Sequence, residues 1–285
     1  MSGIVWLASY PKSGNTWVRA FISNLINEAD EEISINKMKT DGIFSSRRIL
    51  DKITGVESSN LSDDEIDRLR PEVYNYLART TEKPLFIKVH DAYTYLENGM
   101  PLLGTVQAKA VYIIRNPLDV AVSLANHYSV NIDEAIAIMC DESYAVCNSK
   151  KRLPEQLRQK QLSWSSHIES WANASELPVY FMRYEDMKTE PIKAFSDAVR
   201  FIGLDCTEER IRQAVEASSF EKLKAEEEQS GFGERPVKTA SFFRSGKTGD
   251  WKNHLSDEQR DKIITNHEAV MKKYGYVDSD GRPVY

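Results

Sequence analysis

The chain has 285 residues, 41% apolar and 28% charged, with a net charge of −6 at pH 7; this is the make-up of a globular protein that can bury a full core in one or two domains. The acidic balance argues against nonspecific binding to nucleic acid or an anionic membrane, though not against a local cationic pocket. No run nears the ~20 apolar residues of a membrane span, the N-terminus lacks the basic start of a signal peptide, and Cys140, Cys147 and Cys206 show no metal-ligand spacing, so a cytoplasmic protein with reduced thiols and no metal is expected.

In chain order, an apolar strand IVWLA (4–8) breaks into the loop SYPKSGNTW (9–17), which re-enters a helix over 15–28. Residues 30–60 read as loops and short helices. A helix over 62–79 opens on SDDE, where Ser62 and Glu65 form a capping box. Strands follow at PLFIKV (84–89) and AVYIIR (110–115), then helices at 118–129, with Pro117 at its start, and at 132–148 and 154–174. A strand VYFMRY (179–184) precedes helices at 190–203 and 207–217; the Gly- and charge-rich stretch 226–250 is expected to be a mobile loop, and a last helix runs over 256–274. β-Branched and aromatic runs separated by helical patterns indicate parallel strands joined by helical crossovers, hence a single α/β domain over 1–285.

In such a sheet, ligands bind beyond the carboxyl ends of the strands. A loop there that opens a helix presents backbone N–H groups and the positive end of the helix dipole. Gly14 permits close approach, Lys12 adds a charge, and Ser13, Asn15 and Thr16 add hydrogen-bonding groups. Because a helix terminus alone contributes only ~0.3–1 kcal/mol toward an anion, these groups must act together, and they suit a phosphate or sulfate. A solvated turn with a helix cap is the bland alternative for this stretch alone. The loop is not a Walker A sequence, and GKT at 246–248 is a decoy, because the earlier glycine it requires would fall at Ser241.

Three further stretches carry chemistry. FIKVH (86–90) places Lys88 and His90 at a strand end. YIIRNPLDVAVSL (112–124) puts Arg115 at another strand end and Ser123 about two turns into the next helix. Arg115 could grip a phosphate bidentately, or it could simply pair with Asp119. FFRSGKTGDW (242–251) supplies Arg244, Gly246 and Lys247 on a loop that could close over a ligand or be ordinary surface.

Taken in order, SYPKSGNTW, KVH, RNPLDVAVS, RYEDM, SSFEKL and FRSGKTGDWKNHL resemble the cytosolic-type sulfotransferases, which use 3′-phosphoadenosine 5′-phosphosulfate as donor. The likeness runs from residue 4 to about 255, and its opening block is particularly similar to bacterial members that modify natural products. It is thinnest at 30–80 and 129–175, where the family varies with substrate. The resemblance implies a three-layer α/β sandwich with a central parallel sheet, the P-loop-NTPase-like sulfotransferase fold. It also implies that Lys12, Ser13, Gly14, Asn15, Thr16 and Trp17 surround the 5′-phosphosulfate, and that Trp17 and Phe220 sandwich the adenine. Tyr184 and Ser218 would contact the nucleoside, and Arg115, Ser123, Arg244 and Gly246 the 3′-phosphate. Ser245 stands where the family commonly has lysine, a contact that Lys247 could replace.

The implied chemistry makes His90 the base for an acceptor hydroxyl, as an imidazole titrating near ~6.5 can be, with Lys12 and Lys88 meeting charge on the leaving oxygen. The expected partner is a hydroxyl-bearing small molecule, without nucleic acid or membrane insertion. Phe44, Tyr93, Tyr95, Met100, Tyr128, Trp164 and Phe232 could shape its pocket or be plain core. The rivals are another phosphate-binding α/β enzyme, such as a small-molecule kinase, and a noncatalytic nucleotide-binding relative. The oligomeric state is open, because the family's K-x-x-x-T-V-x-x-x-E dimer motif reads KNHLSDEQRD at 252–261.

Overall fold

A computed structural model describes residues 3–27, 31–148, 153–239 and 241–285. The chain runs through β1 (Ile4–Ser9), α1 (Asn15–Leu25), α2 (Arg47–Thr54), α3 (Asp63–Thr80), β2 (Leu85–Val89), β3 (Ala108–Ile114), α4 (Pro117–Tyr128), α5 (Ile132–Cys140), β4 (Ala145–Val146) and β5 (Gln159–Lys160). It continues with α6 (Trp164–Ala172), β6 (Val179–Arg183), α7 (Tyr184–Thr189), α8 (Pro191–Ile202), α9 (Glu208–Ala217), α10 (Phe220–Ser230) and α11 (Asp257–Lys273). A four-stranded parallel sheet in the order β2-β1-β3-β6, flanked by helices, is the α/β architecture expected from the four apolar runs. β1 is buried at every position, as a central parallel strand should be. It pairs with β2 from Ile4↔Leu85 to Ala8↔Val89. No helix among the described residues is long and apolar enough to cross a membrane.

The residues group into two compact units. The first comprises Met1–Tyr10, Thr40–Tyr112 and Glu142–Phe181. In it α2 packs on α3, and the capping box of α3 forms as read, with Ser62 accepting from the Glu65 N–H and Glu65 accepting from the Ser62 N–H. The second unit comprises Pro11–Lys39, Ile113–Asp141 and Met182–Tyr285. There α1 and α8 pack on α9, and α4, α5 and α11 pack on one another.

Four assignments are corrected. The helix expected over 132–148 stops at Cys140, because Ala145–Val146 is drawn into an antiparallel pair with Gln159–Lys160. The helix expected over 154–174 begins only at Trp164, where Ser163 accepts from the Ser166 N–H as its cap. Residues just before it are held extended by the Leu157 N–H donating to Ser45 O and by a bridge between Ser46 and Gln156. Tyr184 does not end a strand but opens α7. Finally, 226–230 is not loop but the last turns of α10. In the segment at 252–261, Ser256 serves as the N-cap of α11 and forms a capping box with Gln259.

Candidate active site

Within the second unit, the opening loop turns sharply into α1. Lys12 (φ 70°) and Gly14 (φ 106°) both adopt left-handed backbone, a conformation that costs a non-glycine residue about 1 kcal/mol or more and collects at functional sites. Gly14 is the N-cap of α1, and no side chain caps the helix there. Of its first-turn N–H groups, that of Trp17 turns back onto Gly14 O at 3.0 Å, and this end of the helix presents the positive pole of the dipole. A Cβ on Gly14 would come within 2.7 Å of the Tyr184 ring, so close approach as well as the positive φ requires glycine. Ser13, Asn15 and Thr16 are buried, and the Ser13 hydroxyl has no hydrogen-bond partner among the described residues.

Tyr184 gathers the other motifs. Arg115 lies over its ring at 4.3 Å, Trp17 meets it edge-on at 5.8 Å, and its hydroxyl donates to Gly246 O at 3.2 Å. Burial pushes the Tyr184 phenol up, which keeps it a neutral donor. Arg115 donates to Lys12 O and Lys247 O, each at 3.2 Å, while its buried Nε has no partner among the described residues. The alternative reading of Arg115, a pair with Asp119, is not found among the described residues. Asp119 instead accepts from the Gly249 and Trp251 N–H groups, at 2.8 and 3.0 Å. Gly246 (φ 62°) packs so tightly on Phe220 that a Cβ would lie 2.5 Å from its ring. Lys12, Gly14, Trp17, Arg115, Tyr184, Phe220 and Gly246 are thus brought together.

Other expected residues are engaged elsewhere. The Ser218 hydroxyl donates to Ala214 O at 2.8 Å, closing the end of α9. Ser123 is half-buried on α4, and no hydrogen bond joins it to Arg115 among the described residues. Arg244 pairs with Asp250 at 2.6 Å. Burial works to raise that carboxyl, but the Arg244 hydrogen bond and charge outweigh it and hold Asp250 below the usual carboxylate range. Ser245 lends Asp250 a hydrogen bond as well. Lys247 is exposed.

Sequence reasoning missed three neighbours. Lys188 lies four residues after Tyr184 on α7, and its ammonium is 5.6 Å from the Trp17 ring centre and 5.5 Å from that of Phe220. The Phe242 ring carries the Lys12 ammonium at 4.0 Å. Glu185, buried, accepts from the Asn116 N–H and from Tyr276 Oη–H, each at 3.0 Å, so it anchors the backbone just after Arg115. The YEDMK helical spacing was the available signal for Lys188. Phe232 belongs to the core with Ala20, Ile35, Leu223 and Phe243.

The first unit holds Lys88 and His90 at the end of β2. His90 Nδ1 is 2.9 Å from Ser9 O. A carbonyl only accepts, so Nδ1 carries the proton and Nε2 is the basic nitrogen. The next residue, Asp91, is wholly buried, accepting from Arg70 and Ser45, each at 3.0 Å. Tyr93 is buried and Tyr95 exposed, the latter donating to Glu176 at 3.0 Å. His167, fully buried on α6, donates from Nε2 to His90 O at 3.2 Å and accepts from Tyr112 Oη–H at 2.7 Å.

Burial pulls the His167 pKa down to about 4, so the ring is neutral when folded. Unfolded, it takes up a proton below its ordinary ~6.5. The stability contributed by the neutral buried ring is therefore full above ~6.5 and is lost as pH falls toward about 4. The whole difference amounts to about 3 kcal/mol. Denaturant melts should show this extra acid loss in the parent protein, and a flatter profile over the same range in His167→Gln.

A family model described as a sulfotransferase domain matches residues 3–275. Sulfotransferase 1E1 of Rattus norvegicus is 26% identical over 275 residues, covering 93% of this chain and 82% of that protein. Flavonol 3-sulfotransferase of Flaveria bidentis is 28% identical over 281 residues, covering 91% and 78%. Among solved structures, a mouse sulfotransferase complexed with PAP superimposes with a TM-score of 0.61 at 20% identity, covering 98% of this chain and 86% of that one. Retinol dehydratase, in complex with androsterone and inactive cofactor PAP, gives 0.63 at 20% identity, covering 94% and 80%. The fold is shared with both, and the family model spans nearly the whole chain: it belongs to the sulfotransferase family of transferases.

Proposed function

We propose that this chain transfers the sulfuryl group of 3′-phosphoadenosine 5′-phosphosulfate to a hydroxyl of a small-molecule acceptor, and that it works as one sulfotransferase domain. The observation that carries the reading is the convergence around Tyr184 of side chains from four separated motifs, with two buried polar atoms, Ser13 Oγ and Arg115 Nε, lacking partners among the described residues. Such atoms are costly to leave unmet, and both fit an anionic phosphoryl or sulfuryl ligand.

In this reading the loop 12–17 binds the 5′-phosphosulfate, with Ser13, Asn15, Thr16 and the first turn of α1 as hydrogen-bonding groups. Trp17 and Phe220 flank the adenine, with Tyr184 and Ser218 at the nucleoside. Arg115 and Ser123, joined by Arg244, Ser245 and Gly246, hold the 3′-phosphate, for which Arg244 must share its charge with Asp250. His90 Nε2 takes the proton of the acceptor hydroxyl, whose oxygen forms a bond to sulfur as the bond from sulfur to the 5′-phosphate oxygen breaks. Lys12 and Lys88 neutralise the charge that grows on that oxygen, and adenosine 3′,5′-bisphosphate leaves. As in phosphoryl transfer, the protein supplies positioning and charge.

Relatives named for a flavonol and solved with androsterone or retinol support a hydroxyl-bearing acceptor. The test is transfer of label from the donor to a panel of phenols, alcohols and glycosides. Magnesium-independent sulfation of at least one member is expected. Transfer of phosphate from ATP, with no sulfation anywhere in the panel, would favour the kinase reading.

A further inference from the structure

Past Val89 the ladder of β2 ends, so the backbone polar groups that follow must find partners elsewhere. One face of α6 supplies most of them. His167 donates to His90 O at 3.2 Å, Trp171 Nε1–H donates to Asp91 O at 3.1 Å, and Ser170 Oγ accepts the Tyr93 N–H at 2.9 Å. The Ala92 N–H donates to Lys160 O at 2.7 Å. Every residue from 90 to 93 is thereby tied down by side chains or backbone outside the sheet.

Resting on the assignment of His90 as base, we propose that His167 is a positioning residue for it: the imidazole of α6 fixes the main chain of His90 so that its Nε2 is presented to the acceptor. The tautomer follows from chemistry. The His90 carbonyl only accepts, so His167 Nε2 holds the proton, which leaves Nδ1 to accept from Tyr112 Oη–H at 2.7 Å. Tyr112, on β3, is itself fully buried and so hands the rigidity of a central strand to the relay. The same imidazole also meets the Tyr10 ring edge-on at 5.5 Å. Tyr10 directly follows Ser9, whose carbonyl takes the His90 Nδ1–H. One buried ring therefore secures both the backbone of His90 and the segment that orients its side chain. An apolar residue could fill the space; it could not make either hydrogen bond. A shift of the base by ~1 Å can cost about 10²-fold in rate, which sets the scale of the effect.

The experiment compares His167→Leu, His167→Gln and Tyr112→Phe for kcat, for the Kd of adenosine 3′,5′-bisphosphate and for a cooperative melt, with His90→Ala alongside. His167→Leu should lower kcat by about tenfold to a hundredfold with the bisphosphate Kd within about twofold. His167→Gln, which keeps an N–H donor at the Nε2 position, should recover most of that loss, and Tyr112→Phe should lower kcat less than His167→Leu. Parent-like kcat in His167→Leu, or a glutamine variant as impaired as the leucine one, would overturn the positioning role. If His167→Leu does not melt cooperatively, Tyr112→Phe decides: reduced kcat at unchanged Kd supports the relay, and unchanged kcat contradicts it. Turnover surviving in His90→Ala would remove both the base and its positioning residue. Turnover lost there but retained in His167→Leu would remove the positioning alone.

Discussion

His90→Ala is expected to lower kcat by about 10²–10⁴-fold, the usual worth of a general base, while the Kd for adenosine 3′,5′-bisphosphate stays within about threefold. The rate loss follows from the tautomer. With Nδ1–H donated to Ser9 O, Nε2 is the lone-pair nitrogen, and alanine leaves no group to accept the acceptor's proton. The unchanged affinity follows from the role: the bisphosphate carries neither the sulfuryl group nor the acceptor hydroxyl on which His90 acts. Steady-state sulfation and bisphosphate titration of the same preparation separate the two effects. Residual turnover near the parent rate would mean that another group takes the proton.

Lys12→Ala should act on both rate and affinity: kcat falls by about 10²–10³-fold, the scale of losing one preorganised electrostatic contact, and the donor binds more weakly. Two features make Lys12 hard to replace. Its backbone sits at φ 70°, and its carbonyl accepts from Arg115, so it helps set the arginine as well as supplying charge. Its ammonium rests on the Phe242 ring, whose backbone N–H donates to Glu227 at 2.7 Å. Arginine at this position should restore little, because a planar fork does not replace a compact point charge. Single-turnover rates and donor titrations would check this, and Lys12→Ala with parent-like values for both would take the loop out of the mechanism.

Much of this architecture was legible because the decisive signals are local. IVWLA, PLFIKV, AVYIIR and VYFMRY are dense enough in β-branched and aromatic residues to mark the four sheet strands, and Ser62 caps the helix it was expected to cap. What escaped depends on distant partners. Gln159–Lys160 is a strand only because Ala145–Val146 pairs with it, and nothing within QKQLSW announces that. In the site, Gly14 was readable as a close approach, but the surface it approaches, Tyr184, could only come from the fold. Arg115 had two readings, and Asp119's preference for the Gly249 and Trp251 N–H groups decided between them. His167, embedded in WSSHIESWA, looks like an ordinary helix residue until the carbonyl it meets is known.

The claim on which the rest depends is that one unit gathers cationic and buried polar groups around a nucleotide bearing phosphate at both its 3′ and 5′ positions. Calorimetric titration with adenosine 3′,5′-bisphosphate, in the presence of a magnesium chelator, tests it most directly. One molecule should bind per chain, and Arg115→Ala should abolish the preference for this ligand over adenosine 5′-monophosphate. Binding of magnesium-ATP with no measurable affinity for the bisphosphate would contradict the account.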